Sequence, residues 1–126
     1  MKKKNVIIVG GGPAGLIAGI EASKRGSNVI LLEKMNRPAR KLRITGKGRC
    51  NLTNIAPLEE FISHFGKHGR FLRSAFSCFF SHDLIHFMSD LGINTINERG
   101  GRIFPMSENA EDVVNALINF AKKNKI

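Results

Sequence analysis

The chain has 126 residues, 42% of them hydrophobic, enough for one small globular domain and too apolar for a disordered segment. Its 20 Lys+Arg against 10 Asp+Glu leave a net charge of +10, which calls for an anionic ligand, an acidic partner surface or open solvent. No run approaches the ~20 apolar residues of a membrane-spanning helix. Cys50 and Cys78, in no C-x-x-C pair, exclude a disulfide framework, a zinc ribbon and a thioredoxin-like centre.

Lys2, Lys3 and Lys4 precede Val6-Ile7-Ile8-Val9 in the manner of a signal peptide, but that run is too short and meets glycines at once. Cytoplasmic residence is therefore expected. Asn5 to Val9 reads instead as a β-branched strand, buried on both faces of a parallel sheet. Gly10-Gly11-Gly12 breaks it, Pro13 suits the first turn of a helix, and Leu16, Ile17 and Ile20 continue at helical spacing. Gly26 ends that helix, and Asn28 to Leu32 forms a second apolar strand. Strand, helix and strand make a βαβ unit with a right-handed crossover.

Between Glu33 and Glu59 there is no acid, while Lys34, Arg37, Arg40, Lys41, Arg43, Lys47 and Arg49 follow one another closely. Met35 to Ile55 lacks periodicity and reads as a long basic loop. From Pro57 the pattern turns helical, with stripes at Leu58, Phe61, Ile62 and Phe65, at Phe71, Leu72, Ala75, Phe76 and Phe79, and at Leu84, Phe87, Met88 and Leu91. The phenylalanines of Phe61 to Phe80 read as core packing. Ile93 to Glu98 and Arg102 to Pro105 flank Arg99-Gly100-Gly101 as a β-hairpin. Asn109 caps a last helix, with Glu111 and Asp112 in its first turn and Val113, Val114, Leu117, Ile118 and Ala121 on its apolar face.

Chemistry is concentrated in Gly10-x-Gly12-x-x-Gly15, which follows a strand and opens a helix. Gly10 permits the tight turn, Gly12 lets the backbone approach a pyrophosphate, and Gly15 lets helix and strand pack closely. The helix mouth offers unpaired amides to the phosphates. Glu33 ends the second strand, eighteen residues after Gly15, where an acid accepts hydrogen bonds from a ribose 2′-hydroxyl and repels the 2′-phosphate of NADP. The cations after Glu33 favour a ligand with two phosphates. Gly46-Lys47-Gly48 offers amides for an anion-binding nest, and Arg49 a bidentate contact. Cys50 is expected to be a small buried thiol.

His64-x-x-x-His68 and His82-x-x-x-His86 have a helical metal-binding spacing, but no third ligand presents itself, so no metal is expected. The Gly46-Lys47 pair is not a P-loop, and no nucleophile elbow is visible. The rival from another class is a basic nucleic-acid-binding module, resting on charge alone. An NAD-binding domain without flavin is a nearer alternative.

Val9-Gly-Gly-Gly-Pro-Ala-Gly-Leu16 with Leu32-Glu33-Lys34 resembles the FAD fingerprint of glutathione-reductase-type flavoproteins. Arg40-Lys-Leu-Arg-Ile-Thr-Gly-Lys-Gly-Arg-Cys-Asn-Leu-Thr-Asn54 and Glu98-Arg-Gly-Gly-Arg-Ile-Phe-Pro105 resemble segments of the BaiN-like, aminoacetone-oxidase-type family. The resemblance implies an α/β, Rossmann-like FAD/NAD(P)-binding fold with a parallel sheet, a helical insertion and a β-hairpin. It implies FAD contacts at Gly10, Gly12, Pro13, Ala14, Gly15, Glu33 and Lys34. Arg40 and Lys41 would neutralise phosphates, and Gly46, Gly48, Arg49, Cys50 and Asn51 would run along the cofactor toward the flavin. Ala39 and Lys47 stand where the family more often has glycine, and Arg43 where an apolar residue is commoner. Family members are about three times longer, so residues 1–126 are expected to be the N-terminal part of the FAD domain, with an apolar strand face left uncovered. The whole protein is expected to be a flavin-dependent oxidoreductase acting on a small molecule rather than nucleic acid or membrane. The substrate, the catalytic residues and the choice of NAD(P)H or oxygen as redox partner stay open.

Overall fold

The computed structural model describes residues 3–126; Met1 and Lys2, the first lysine of the signal-like run, lie outside them. In chain order the elements are β1 (Asn5–Val9), α1 (Pro13–Lys24), β2 (Asn28–Leu32), α2 (Arg40–Ile44), β3 (Thr53–Asn54), α3 (Leu58–Ser63), α4 (Arg73–Cys78), α5 (Ser81–Asp90), β4 (Thr95–Glu98), β5 (Arg102–Pro105) and α6 (Ala110–Lys123), with 3-10 turns over Thr45–Gly48 and Gly66–Leu72. The described residues form two compact units, one of residues 3–50 with 109–126 and one of residues 51–108.

The first unit is the βαβ motif. β1 and β2 pair in parallel, with Ile7 opposite Ile30 and Val9 opposite Leu32. α1 starts at Pro13, whose missing N–H costs nothing in a first turn. It stops in a Schellman closure: the Gly26 amide donates to the Ser23 carbonyl at 2.8 Å and the Ser27 amide to Ala22 at 3.1 Å. Leu16 and Ile20 of α1 are buried, as are Val29 of β2 and Val113, Val114, Leu117 and Ala121 of α6. α6 is set by Asn109, whose side-chain oxygen accepts the Glu111 amide at 3.0 Å.

The strands are not buried on both faces, although their continuous apolar character alone would suggest it; one apolar face is uncovered, as expected of the N-terminal part of a longer domain. Alternate residues point to opposite sides, and only one side carries helices. On the other side Ile7, Val9, Ile30 and Leu32 are 64%, 85%, 58% and 52% exposed. Together these four form an apolar patch rather than scattered surface aliphatics.

In the second unit β5 is central, pairing antiparallel with both β3 and β4. The β4–β5 hairpin turns at Gly100 and Gly101, with the Gly101 amide donating to the Glu98 carbonyl at 3.1 Å. The Phe80 amide donates to Asp83 at 2.7 Å at the start of α5. Ser81, which is buried, donates to the Asn54 carbonyl at 2.6 Å and so ties α5 to β3. Phe61, Phe65, Phe76 and Phe80 form one aromatic cluster, with the Phe61 ring edge-on to Phe76 and Phe80 at 5.3 and 5.1 Å. The expected core packing of the phenylalanines from Phe61 to Phe80 is only partial: Phe61, Phe76 and Phe80 are half-buried, while Phe65, Phe71 and Phe79 are 48%, 88% and 46% exposed.

The stretch Met35 to Ile55 is also more ordered than expected of a loop, since it holds α2, a 3-10 turn and β3. Two-residue β3 exists only by pairing with Arg102 and Ile103, some fifty positions on; no local period announces such a strand.

The uncovered sheet face predicts that the isolated 126-residue chain self-associates. Light scattering and binding of an apolar dye should both fall when Ile7 and Ile30 are replaced by threonine, which keeps the β-branched shape. A wild-type chain that stays monomeric and melts in one cooperative step contradicts this.

Candidate functional site

The turn between β1 and α1 is built from three consecutive glycines, and each meets a different constraint. Gly10 has φ +104, and its amide donates to the Leu32 carbonyl at 2.7 Å, carrying the sheet ladder to its end. A Cβ on Gly15 would stand 2.0 Å from the Gly10 carbonyl oxygen, so α1 touches the strand end at a separation no side chain permits. A Cβ on Gly12 would meet nothing within 4 Å. Gly12 has ordinary extended geometry, φ −73 and ψ 176, so neither packing nor backbone strain calls for glycine there. The open space it leaves lies at the helix mouth. Gly12 carries no side-chain cap, Pro13 has no N–H, and the first intrahelical bond is from the Leu16 amide to the Gly12 carbonyl at 2.9 Å. By helix geometry the amides of Ala14 and Gly15 precede it and point outward.

Gly11, which the glycine spacing passes over, is the hub. Its amide donates to Glu33 Oε2 at 2.8 Å, and its carbonyl accepts the Ala39 amide at 2.8 Å. A Cβ there would sit 3.0 Å from Glu33 Oε2 and 3.1 Å from Pro38 Cβ. The only hint in the sequence is the third glycine in a row. The other Glu33 oxygen accepts the Met35 amide at 2.8 Å. These two amides, Met35 first, hold the Glu33 carboxyl below the ordinary glutamate range; the Lys34 amide and the Arg40 charge add to this, and desolvation opposes it. Glu33 is thus an oriented, ionised carboxylate with lone pairs left for further donors.

Gly12, Pro13, Glu33, Met35, Arg37, Ala39, Arg40 and Lys41 line one crevice of about 190 Å³. It combines an anchored carboxylate, a helix mouth and three cations. That donor set fits a nucleoside diphosphate: the carboxylate suits a ribose diol, and amides and cations suit the phosphates. Of the residues expected to bind cofactor, Gly12, Pro13, Glu33, Arg40 and Lys41 line this crevice, and Gly10, Ala14 and Gly15 form the turn and helix mouth. Met35, Arg37 and Ala39 join them, although the sequence assigned none of the three to the cofactor. A second cavity of about 200 Å³ shares Glu33 and Met35 and continues along Leu16, Leu31, Ile118 and Ala121.

Lys34 is exposed and does not line the crevice. Neither do Gly46, Gly48, Arg49 and Cys50, which lie further along the same unit, while Asn51 belongs to the other unit. Gly46, Lys47 and Gly48 all have positive φ, of 55°, 58° and 86°. They form a left-handed turn closed by the Cys50 amide on the Thr45 carbonyl at 3.0 Å, rather than the alternating conformation of a simple nest. Cys50 itself is buried at φ +64, and burial raises its thiol pKa against the pull of a hydrogen bond with Thr45. Asn51, its amide turned to donate, reaches the Ile103 and Thr53 carbonyls at 3.2 and 3.1 Å.

His82 and His86 both lie on α5, while His64 follows α3 and His68 falls in the 3-10 turn of Gly66–Leu72. His86 approaches Asp90 at 3.5 Å, and His64 lines a cavity of about 310 Å³ with Asn54, Ala56, Phe61 and Phe65. Among the described residues no group of three or more His, Cys, Asp or Glu could hold a metal ion, and no helix is long and apolar enough to cross a membrane.

The family model described as the HI0933-like protein Rossmann domain matches residues 4–126. A 3-dehydro-bile acid delta(4,6)-reductase of Clostridium scindens is 33% identical over 121 residues, covering 94% of this chain and 29% of that protein. A ribosomal RNA dihydrouridine synthase of Escherichia coli is 29% identical over 126 residues, covering all of this chain and 31% of its own length. The chain therefore spans less than a third of these relatives. Among solved structures, Thermovibrio ammonificans THI4 superposes over 97% of this chain and 36% of its own with a TM-score of 0.61 at 19% identity, a likeness of fold.

Two outcomes follow from this geometry. Exposed Lys47 lies in a left-handed conformation that costs a residue with a Cβ about 1–2 kcal/mol, so Lys47→Gly should stabilise the protein by about 1 kcal/mol in urea unfolding; a destabilised variant contradicts the left-handed turn. The lowered pKa of Glu33 means that its ionised form favours the folded state at pH values above its unfolded value. That contribution is lost only as pH falls through the lower folded value. A carboxyl-carbon NMR titration should place Glu33 below 4.5, and a midpoint at or above that value would show its amide bonds to be absent.

Proposed function

Because the chain belongs to the family of the HI0933-like protein Rossmann domain, we propose that it binds the ADP half of FAD non-covalently in a flavin-dependent oxidoreductase. The observation that carries this reading is the shared crevice of Gly12, Glu33, Arg40 and Lys41. Glu33 receives the ribose, amides of Ala14 and Gly15 receive the diphosphate, and Arg40 and Lys41 neutralise its outer oxygens. A carboxylate at the ribose disfavours a 2′-phosphate. The resemblance to FAD fingerprints favours FAD over NAD.

Since the chain spans under a third of its curated relatives, we take it as the N-terminal part of a longer protein in which further segments reach the isoalloxazine. The loop of Gly46, Gly48, Arg49, Cys50 and Asn51 is assigned to the cofactor's path toward that ring. Bound flavin supplies reversible two-electron chemistry; these residues bind it, orient it and balance its charge. The relatives' names point to unlike molecules, a 3-dehydro-bile acid and ribosomal RNA, so they do not agree on one substrate. The free cysteines suit a reducing cytoplasm.

A second reading draws on the +10 charge and on the E. coli relative named for ribosomal RNA: the substrate is an RNA base and part of the basic surface holds its backbone. RNA binding that weakens steeply with salt, in a protein that still carries flavin, would select it over a small-molecule substrate.

The cofactor reading is tested on full-length protein, which should purify yellow with the absorption of an oxidised flavin. Gly12→Val adds atoms into open space, so the fold is kept while the diphosphate is displaced, and flavin occupancy should fall while the melting temperature of the apoprotein stays that of the wild-type apoprotein. Gly15→Ala places a methyl against the Gly10 carbonyl and should lower the melting temperature itself. Occupancy unchanged in both Gly12→Val and Glu33→Ala would overturn the reading.

A further inference from the structure

Arg43 stands in the middle of the basic segment, yet its charge is fully engaged away from the crevice. Its Nε and Nη2 donate to Glu111 Oε2 and Oε1 at 2.8 and 3.1 Å, and its Nη1 donates to the Pro38 carbonyl. The pair is partly shielded, with the Arg43 side chain 17% and Glu111 43% exposed. Glu111 lies in the first turn of α6, a helix anchored by buried Val113, Val114, Leu117 and Ala121. Pro38 immediately precedes Ala39, whose left-handed φ of 56° turns the chain into α2. One guanidinium therefore ties both the entry and the far end of α2 to a fixed helix.

This tie has a consequence for the crevice cations. α2 is five residues long and has no fully buried residue, so propensity contributes little; its place depends on its entry, where the Ala39 amide donates to the Gly11 carbonyl at 2.8 Å, and on its side against α6, where Arg43 meets Glu111. Arg40 and Lys41 sit on it, inside the span between Pro38 and Arg43. Two long, like-charged side chains on a turn held only at its entry would be free to swing apart into solvent. A bidentate fork is rigid where a lysine or an apolar contact is not.

We propose that Arg43 and Glu111 form a latch that positions Arg40 and Lys41 on the diphosphate, making both of them positioning residues that act on cofactor affinity without touching the cofactor. The proposal rests on the cofactor reading above.

A double-mutant cycle on the full-length apoprotein, with FAD titrated by fluorescence quenching, tests it. Glu111→Gln should weaken FAD binding about tenfold in the wild-type background and change it less than about twofold when Arg40 and Lys41 are both alanine. Arg43→Lys, which keeps the charge but lacks the fork, should lose nearly as much affinity as Arg43→Leu. Equal losses in the two backgrounds would mean a general loosening and overturn the latch, as would wild-type affinity in both Glu111→Gln and Arg43→Leu. A wild-type protein with no affinity for FAD overturns the cofactor reading and the latch together, whereas an intact wild-type affinity with additive losses overturns the latch alone.

Discussion

The contact between α1 and the end of β1 sets the geometry of everything near the crevice. Gly15 lies so close to the Gly10 carbonyl that a single added carbon would stand 2.0 Å from it. Gly19, one turn on, repeats the constraint with neighbours at 3.2 Å and beyond from Ile126, Ile8 and Val29. Two small residues on one helix face let α1 lie low on the sheet, and a helix lying low brings its first amides level with the strand ends. Only from that height do the helix mouth and the Glu33 carboxylate face a common ligand.

A second level of organisation starts at Gly11. It joins three pieces of chain through two backbone groups: its amide holds Glu33 and its carbonyl holds Ala39. Glu33 is then committed on both oxygens to amides, which fixes its orientation without neutralising it. Electrostatically the arrangement separates charge along the crevice, one anchored anion at the sugar end and cations at the phosphate end. A segment with seven cations and no acid would repel itself in isolation. Here Arg43 is drawn off to Glu111, whose carboxyl it holds below the ordinary range with help from Arg37, and Arg37, Arg40 and Lys41 line the crevice.

The backbone records the demands of this region. Ala39, Lys47 and Cys50 take positive φ although none is glycine, and each such residue costs free energy that tertiary contacts must offset. Ala39 is buried and hydrogen-bonded to Gly11, and Cys50 is buried with its amide on Thr45. Both are held by their surroundings, whereas Lys47 is exposed and has no comparable anchor.

By itself the sequence determined the βαβ unit, the turn glycines, the acid that closes β2, the β4–β5 hairpin and the cap of α6, because each rests on contacts within a few residues and follows local rules of period, turn and cap. Glu33 and the glycines of the helix mouth were legible for the same reason. What only the tertiary structure decided involves partners distant in sequence. Gly11 became a hub through Glu33 and Pro38, β3 exists by pairing with β5, α2 is tied to Glu111 sixty-eight positions away, and the strands have one helix-covered face instead of two. No local pattern encodes which distant surface a residue will meet, since that depends on how the helices settle on the sheet.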